Sequence, residues 1–230
     1  MNTEIKKQIK IFYESGENLR TRENLETRMK ALAKYFLYGG YINVRDLYHI
    51  YIKTVEFYYH EEEGDIKDLI MYHRNNNFVQ GEIPYFAQLT FNSHDTGVDI
   101  TFENEEKKIR ASVLIRAYEV FDCKNEIRLV WNKKAEQFQK FKNGDKTNYN
   151  TQCLYLKRIL NGFASEGTPN ITWVDKYFNP EDIKDEDIKI STRQGVYESD
   201  DKVRYKVDNN NRRKDKNEWS FRREKEIFLQ

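Results

Sequence analysis

Between Glu56 and Glu103 the chain gathers three of its four histidines, His60, His73 and His94, with carboxylates and phenols close by: Glu56, Tyr58, Tyr59, Asp99 and Glu103. Groups of these types move protons, activate water or hold a polar ligand. If residues 55–60 are extended, Glu56, Tyr58 and His60 share one face and Phe57 and Tyr59 the other. The same alternation over residues 97–103 sets Asp99, Thr101 and Glu103 opposite Val98, Ile100 and Phe102. One reading of these two polar faces is a carboxylate hydrolase built on Glu56, Asp99 and His94. The plainer reading leaves strand carboxylates in solvent, residues 61–63 as a solvated hairpin loop, and His73 and His94 as structural hydrogen-bonding groups. No HxH or HExxH spacing occurs, so neither a metal nor another cofactor is expected.

Charge sharpens the picture. The chain of 230 residues carries 39 Lys and Arg against 38 Asp and Glu, a balance that excludes a uniformly basic coat but not local patches. Residues 56–68 hold six acids and one Lys, a net of −5, whereas residues 202–225 hold ten Lys and Arg against four acids, a net of +6. Tyr205, Trp219 and Phe221 interleave with the basic residues, a composition that suits phosphate contact with base stacking, or else a solvated tail. Arg212 and Arg213 are the expected phosphate contacts of this stretch. Cys123 and Cys153 lack metal or disulfide spacing and read as reduced thiols. The charged amino terminus and the lack of an apolar run of spanning length predict a cytoplasmic protein with no membrane partner.

The elements that must position these groups follow from periodicity. Apolar residues at helical spacing predict helices over residues 3–13 (Ile5, Ile9, Phe12) and 22–37 (Leu25, Met29, Leu32, Ala33, Phe36). Gly39 and Gly40 end the second helix, and Leu47, Ile50 and Tyr51 predict a short third one. β-Branched and aromatic runs predict strands over 54–59, 85–91, 97–102, 109–115 and 127–131, then 188–192 and 203–207, with a helix over 150–163. Runs of strands without regular helices between them indicate an α+β fold with a curved mixed or antiparallel sheet and flanking helices. Residues 1–45 are expected as an amino-terminal helical extension, and 46–230 as a single α+β domain. Neither GxGxxG nor GxxxxGK[ST] is present.

Read in order, residues 53–207 resemble the alkylpurine (3-methyladenine, methylpurine-type) DNA glycosylases. Val55-Glu56-Phe57-Tyr58-Tyr59-His60, followed by a loop and His73, resembles that family's V-E-T-E-A-Y segment and later histidine. Val113-Leu114-Ile115-Arg116-Ala117-Tyr118-Glu119-Val120 is similar to its V-L-L-R-A-L-E-P strand. Arg193-Gln194-Gly195-Val196 and the strand containing Arg204 are similar to its R-[IV]-G-[IV] turn and R-F-Y-V strand. The resemblance implies a double-stranded DNA partner, a damaged purine flipped from the stack, and hydrolysis of its N-glycosidic bond. It places Glu56, His73 and Arg116 in the catalytic group, Tyr58, His60, His94 and Asp99 around the base, and Arg193 and Arg204 on the DNA backbone with Arg212 and Arg213.

The sequence departs from the family where the chemistry is sharpest. Tyr58 occupies the place of the second glutamate, which activates water in that family, His60 that of the stacking tyrosine, and Thr96 the place of the wedge. A phenol, with a pKa of about 10, does not replace a carboxylate as a general base near neutrality. Glu56 has the parity to face the same side from about 7 Å along the strand, and Glu62 or Asp65 could move in from the loop. The alternative reading is a non-catalytic module that binds a nucleic acid or another ligand on the same fold.

Overall fold

Helix α1 (Glu4–Glu14) forms because Ile5, Ile9, Phe12 and Tyr13 fall on one side of the turn, and all four are buried. Helix α2 (Arg22–Tyr38) buries Leu25, Met29, Leu32, Ala33, Phe36 and Leu37. Thr21 caps its start by accepting the Asn24 amide, and the Gly39 N–H donates to the Tyr35 carbonyl at its end. The structure is a computed structural model that describes residues 4–14, 21–68, 71, 90–94, 97–124, 126–132, 134–135, 137–142, 156, 171–177, 179–193, 197–198, 213–214 and 217–224.

The next segment corrects the expectation of a third helix. Residues 40–61 form a hairpin of β1 (Gly40–Val44) and β2 (Tyr48–Glu61), turning through Arg45 and Asp46 at φ 52° and 53°. Leu47, Ile50 and Tyr51 fit a helical spacing, but Ile50 and Ile52 also fit strand alternation, and pairing with a partner strand decides for the latter. Then come β3 (Thr90–His94), β4 (Gly97–Thr101), β5 (Ile109–Asp122), β6 (Arg128–Asn132) and β7 (Gln137–Lys140). They are followed by β8 (Ile171–Asp175), β9 (Ile188–Ser191), β10 (Tyr197–Glu198), β11 (Arg213–Lys214) and β12 (Ser220–Arg223). Of the helix expected over 150–163 only Leu156 lies among the described residues, and it is buried in the core. The strand expected over 203–207 lies outside them.

The fold is α+β, and every described strand pairing is antiparallel. Its spine is the long pair β2–β5, matched from Tyr48↔Asp122 to Glu61↔Ile109. Around one half of this spine sit β1 and β8 on the β2 side and β6 and β7 on the β5 side; around the other half sit β12 and β9, and β4 and β3. The sheet is not closed. The helices expected as an extension fill its inner face. Phe12 meets Tyr59 and Phe102 edge-on, and Phe36 meets Phe57 and Trp173, so helices and sheet share one core. No described helix is long and apolar enough to cross a membrane.

Between the two halves the ladder is irregular: Ile52 pairs with Tyr118, Thr54 with Ala117 and Val55 with Ile115, so the register steps over Lys53 and Arg116. The inward set slips by one residue on both strands, from Ile50 and Ile52 to Val55, Phe57 and Tyr59 on β2, and from Ile115 to Tyr118 and Val120 on β5. Such irregularities re-aim side chains. Arg116 sits at this one.

Candidate functional site

Beyond the irregularity, Phe57 and Tyr59 point into the core, which leaves Glu56 and Tyr58 on the opposite, outer face. That is the parity the alternation predicts. Tyr58 packs there with Leu114 and Met71. Glu56 is fully buried, and its Oε2 accepts both from Arg116 Nε at 2.6 Å and from the Tyr58 hydroxyl at 3.2 Å. The Arg116 side chain is 20% exposed. Glu56, Tyr58 and Arg116, which the resemblance puts in one site, are therefore in contact. Their contact is a buried charge-assisted network in which the carboxylate orients an arginine and a phenol.

A second network adjoins it. Arg193 lies 4.8 Å from the ring centre of Tyr58 and 5.0 Å from that of Trp219. Its Nη1 donates to Asp68 Oδ2 at 2.5 Å and to the Phe57 carbonyl at 3.3 Å, and its Nη2 to Asp68 Oδ1 at 3.4 Å. This corrects the expectation that Arg193 contacts a DNA phosphate: a guanidinium with 2% side-chain exposure, held by a carboxylate and two rings, is a structural cation. His60 Nδ1 accepts the Asp68 backbone N–H at 3.1 Å, so the neutral imidazole carries its proton on Nε2. The sequence does not mark Asp68 as a site residue, and it marks Trp219 only as one of the aromatics among the basic residues. Both act through partners more than a hundred residues away, in Arg193 for Asp68 and Glu26 for Trp219, and no local pattern encodes such pairs.

Cross-strand register places Asp99 opposite Leu114, and Leu114 opposite Glu56, in one row on the outer face. Two strand spacings put the Asp99 and Glu56 backbones about 10 Å apart. His94 ends β3 opposite Gly97. Arg213 belongs to the two-stranded ribbon, opposite Glu198. His73, Arg204 and Arg212 lie outside the described residues, as does Thr96.

Both charged stretches are partly used by the fold. In the acidic one, Glu62 pairs with Arg110 at 2.7 Å, Glu61 accepts from the Tyr59 hydroxyl at 3.0 Å, and Asp68 holds Arg193. This overturns the solvated-loop reading for Glu61 and Glu62. In the basic one, Trp219 and Phe221 are buried in the core, and buried Arg223 pairs with Glu119 at 2.6 Å, where Arg128 also binds at 2.9 Å. Trp219 and Phe221 are therefore not available to stack on bases. Burial and the Glu61 carboxylate push the Tyr59 phenol far above its ordinary range.

Among the described residues no group of three or more His, Cys, Asp and Glu is arranged to hold a metal ion. Comparison with family models, with curated proteins and with solved structures finds no match.

Proposed function

We propose that this chain is a divergent glycosylase-like module that binds double-stranded DNA through the outer face around Arg116 and does not hydrolyse the N-glycosidic bond. The observation that carries this reading is the state of Glu56: wholly buried, with Oε2 shared by Arg116 Nε and the Tyr58 hydroxyl. A general base must reach a water molecule beside the reacting carbon. A carboxylate that faces a guanidinium and a phenol instead fixes those two groups, and the partly exposed Arg116 is suited to an anionic or electron-rich ligand.

A second reading retains hydrolysis. It is favoured by the meeting of Glu56, Tyr58 and Arg116 on one face, the arrangement that the glycosylase resemblance implies. One experiment separates the two. Duplex oligonucleotides carrying hypoxanthine or ethenoadenine are incubated with the protein and with its Glu56→Gln and Arg116→Gln variants, and both retention and abasic sites are measured. The expected result is salt-dependent retention that Arg116→Gln weakens about tenfold, with no abasic product. Abasic sites that vanish in Glu56→Gln would establish the hydrolase, and no retention at low salt would remove both readings.

A further inference from the structure

The other half of the outer face carries a group of rings that the Glu56 site does not use. Tyr41 of β1 packs on His49 of β2 with ring centres 4.3 Å apart and planes tilted by 41°. Tyr51, next on that face, lies 5.3 Å from Tyr41 and meets Phe121 of β5 edge-on at 5.4 Å. Lys176, just after β8, holds its ammonium 5.0 Å from the Tyr51 ring centre. Tyr41, His49, Phe121 and Lys176 are half-buried and form a rim; Tyr51, 3% exposed, is the floor. Tyr177, beside Lys176 in the chain, exposes its whole ring.

The chemistry of this surface narrows the ligand. The Tyr51 phenol is buried beneath this rim. Burial and the nearby Tyr41 and Glu126 push its pKa up to about 12, so it is a standing donor at neutral pH. Burial lowers the pKa of His49 against the pull of Glu126 and Asp46, which favours a neutral ring there. A cationic ligand is disfavoured because Lys176 already sets a positive charge over Tyr51. The Asn43 side-chain amide is committed to Asp46 at 2.6 Å, and Asn43 Oδ1 also takes the Asp46 N–H, so the surface offers rings and one ammonium rather than amides. Rings beside an ammonium suit a planar π-system with an anionic group. Flat rings pack on Tyr41 and His49, and the Lys176 ammonium above Tyr51, with Glu126 near it, supplies the positive charge for a phosphate.

We infer that the Tyr41–His49–Tyr51 surface with Lys176 is a stacking site for a nucleobase and its phosphate, in a free nucleotide or in single-stranded nucleic acid. It lies on the same outer face as Glu56, five residues or about 16 Å along β2. It does not depend on duplex binding around Arg116. The test is fluorescence anisotropy of a fluorescein-labelled oligothymidylate with the full chain at low salt, with unlabelled thymidine monophosphate as competitor. Saturable binding is expected. Tyr41→Ala should weaken it about tenfold, the effect of one lost stacked base, whereas Tyr41→Phe, which keeps the ring, should retain it. Lys176→Gln should weaken it and reduce the salt dependence by about one phosphate contact. Competition by the monophosphate assigns the site to free nucleotides, and competition by unlabelled strand alone assigns it to single strands. Glu56→Gln and Arg116→Gln should leave this binding unchanged, which keeps it distinct from duplex retention. No binding at low salt, or Lys176→Gln and Tyr41→Ala variants that fold and bind like the parent, would overturn the inference.

Discussion

Arg193 concentrates the physics of the outer face in one residue. Its guanidinium is sandwiched between Tyr58 and Trp219 and clamped by Asp68, so the ring that hydrogen-bonds Glu56 is itself packed against a fixed cation. Taking the charge from Asp68 while leaving Arg193 in place strands a buried cation, and breaking such a pair costs about 3–5 kcal/mol. Asp68→Asn should therefore lower stability by roughly 3 kcal/mol in urea denaturation. A midpoint equal to that of the parent would show that the pair contributes nothing net. The sequence marks Arg193 only as part of a turn motif, because its role depends on Asp68, 125 residues earlier, and on Trp219. Glu56 and Tyr58 were easier to read. Strand alternation alone puts them on one face, and the register with β5 then adds Arg116.

Among the elements, β1 and β8 depend on a single glycine. A Cβ built on Gly40 would lie 2.3 Å from the Val174 carbonyl oxygen and 2.8 Å from Trp173 Cε2 and Nε1. Trp173 Nε1 donates to Asp175 Oδ1 at 2.9 Å, and Asp175 Oδ2 accepts the Glu4 N–H at 2.6 Å at the start of α1. A methyl group at residue 40 thus presses on the strand that anchors the first helix. Gly40→Ala should cost about 1–3 kcal/mol, the usual range for overpacking, and lower the thermal midpoint followed by circular dichroism. An unchanged midpoint would mean that β8 can move away freely. Element type was legible where the period was unambiguous, as in α1, α2, β4 and β9. It was not legible over residues 43–51, where a few apolar residues satisfy both periods and only pairing with β5 and β8 selects the strand.

At the scale of the whole molecule the first described helix and the last described strand both join the core. Strand β12 lies between β2 and β9, brings Trp219 and Phe221 inside and supplies Arg223 to Glu119. Losing one large aromatic from a core costs about 3–5 kcal/mol, and two such losses rival a typical total stability of about 5–15 kcal/mol. A chain truncated after residue 216 should lose its cooperative thermal transition; a sharp melt within a few degrees of the full chain would contradict this. The sequence by itself determined the α+β class, both opening helices, strands β4, β6 and β9 with parts of β2 and β5, and the shared face of Glu56 and Tyr58. Periodicity and strand parity are local properties, set by neighbours within a few residues. Only the tertiary structure decided that the basic carboxyl-terminal stretch supplies a core strand, that Arg193 is a buried cation, and that Tyr41, His49, Tyr51 and Lys176 meet on one surface. Each of these depends on residues far apart in the chain, and antiparallel pairing around the β2–β5 spine brings them within contact distance.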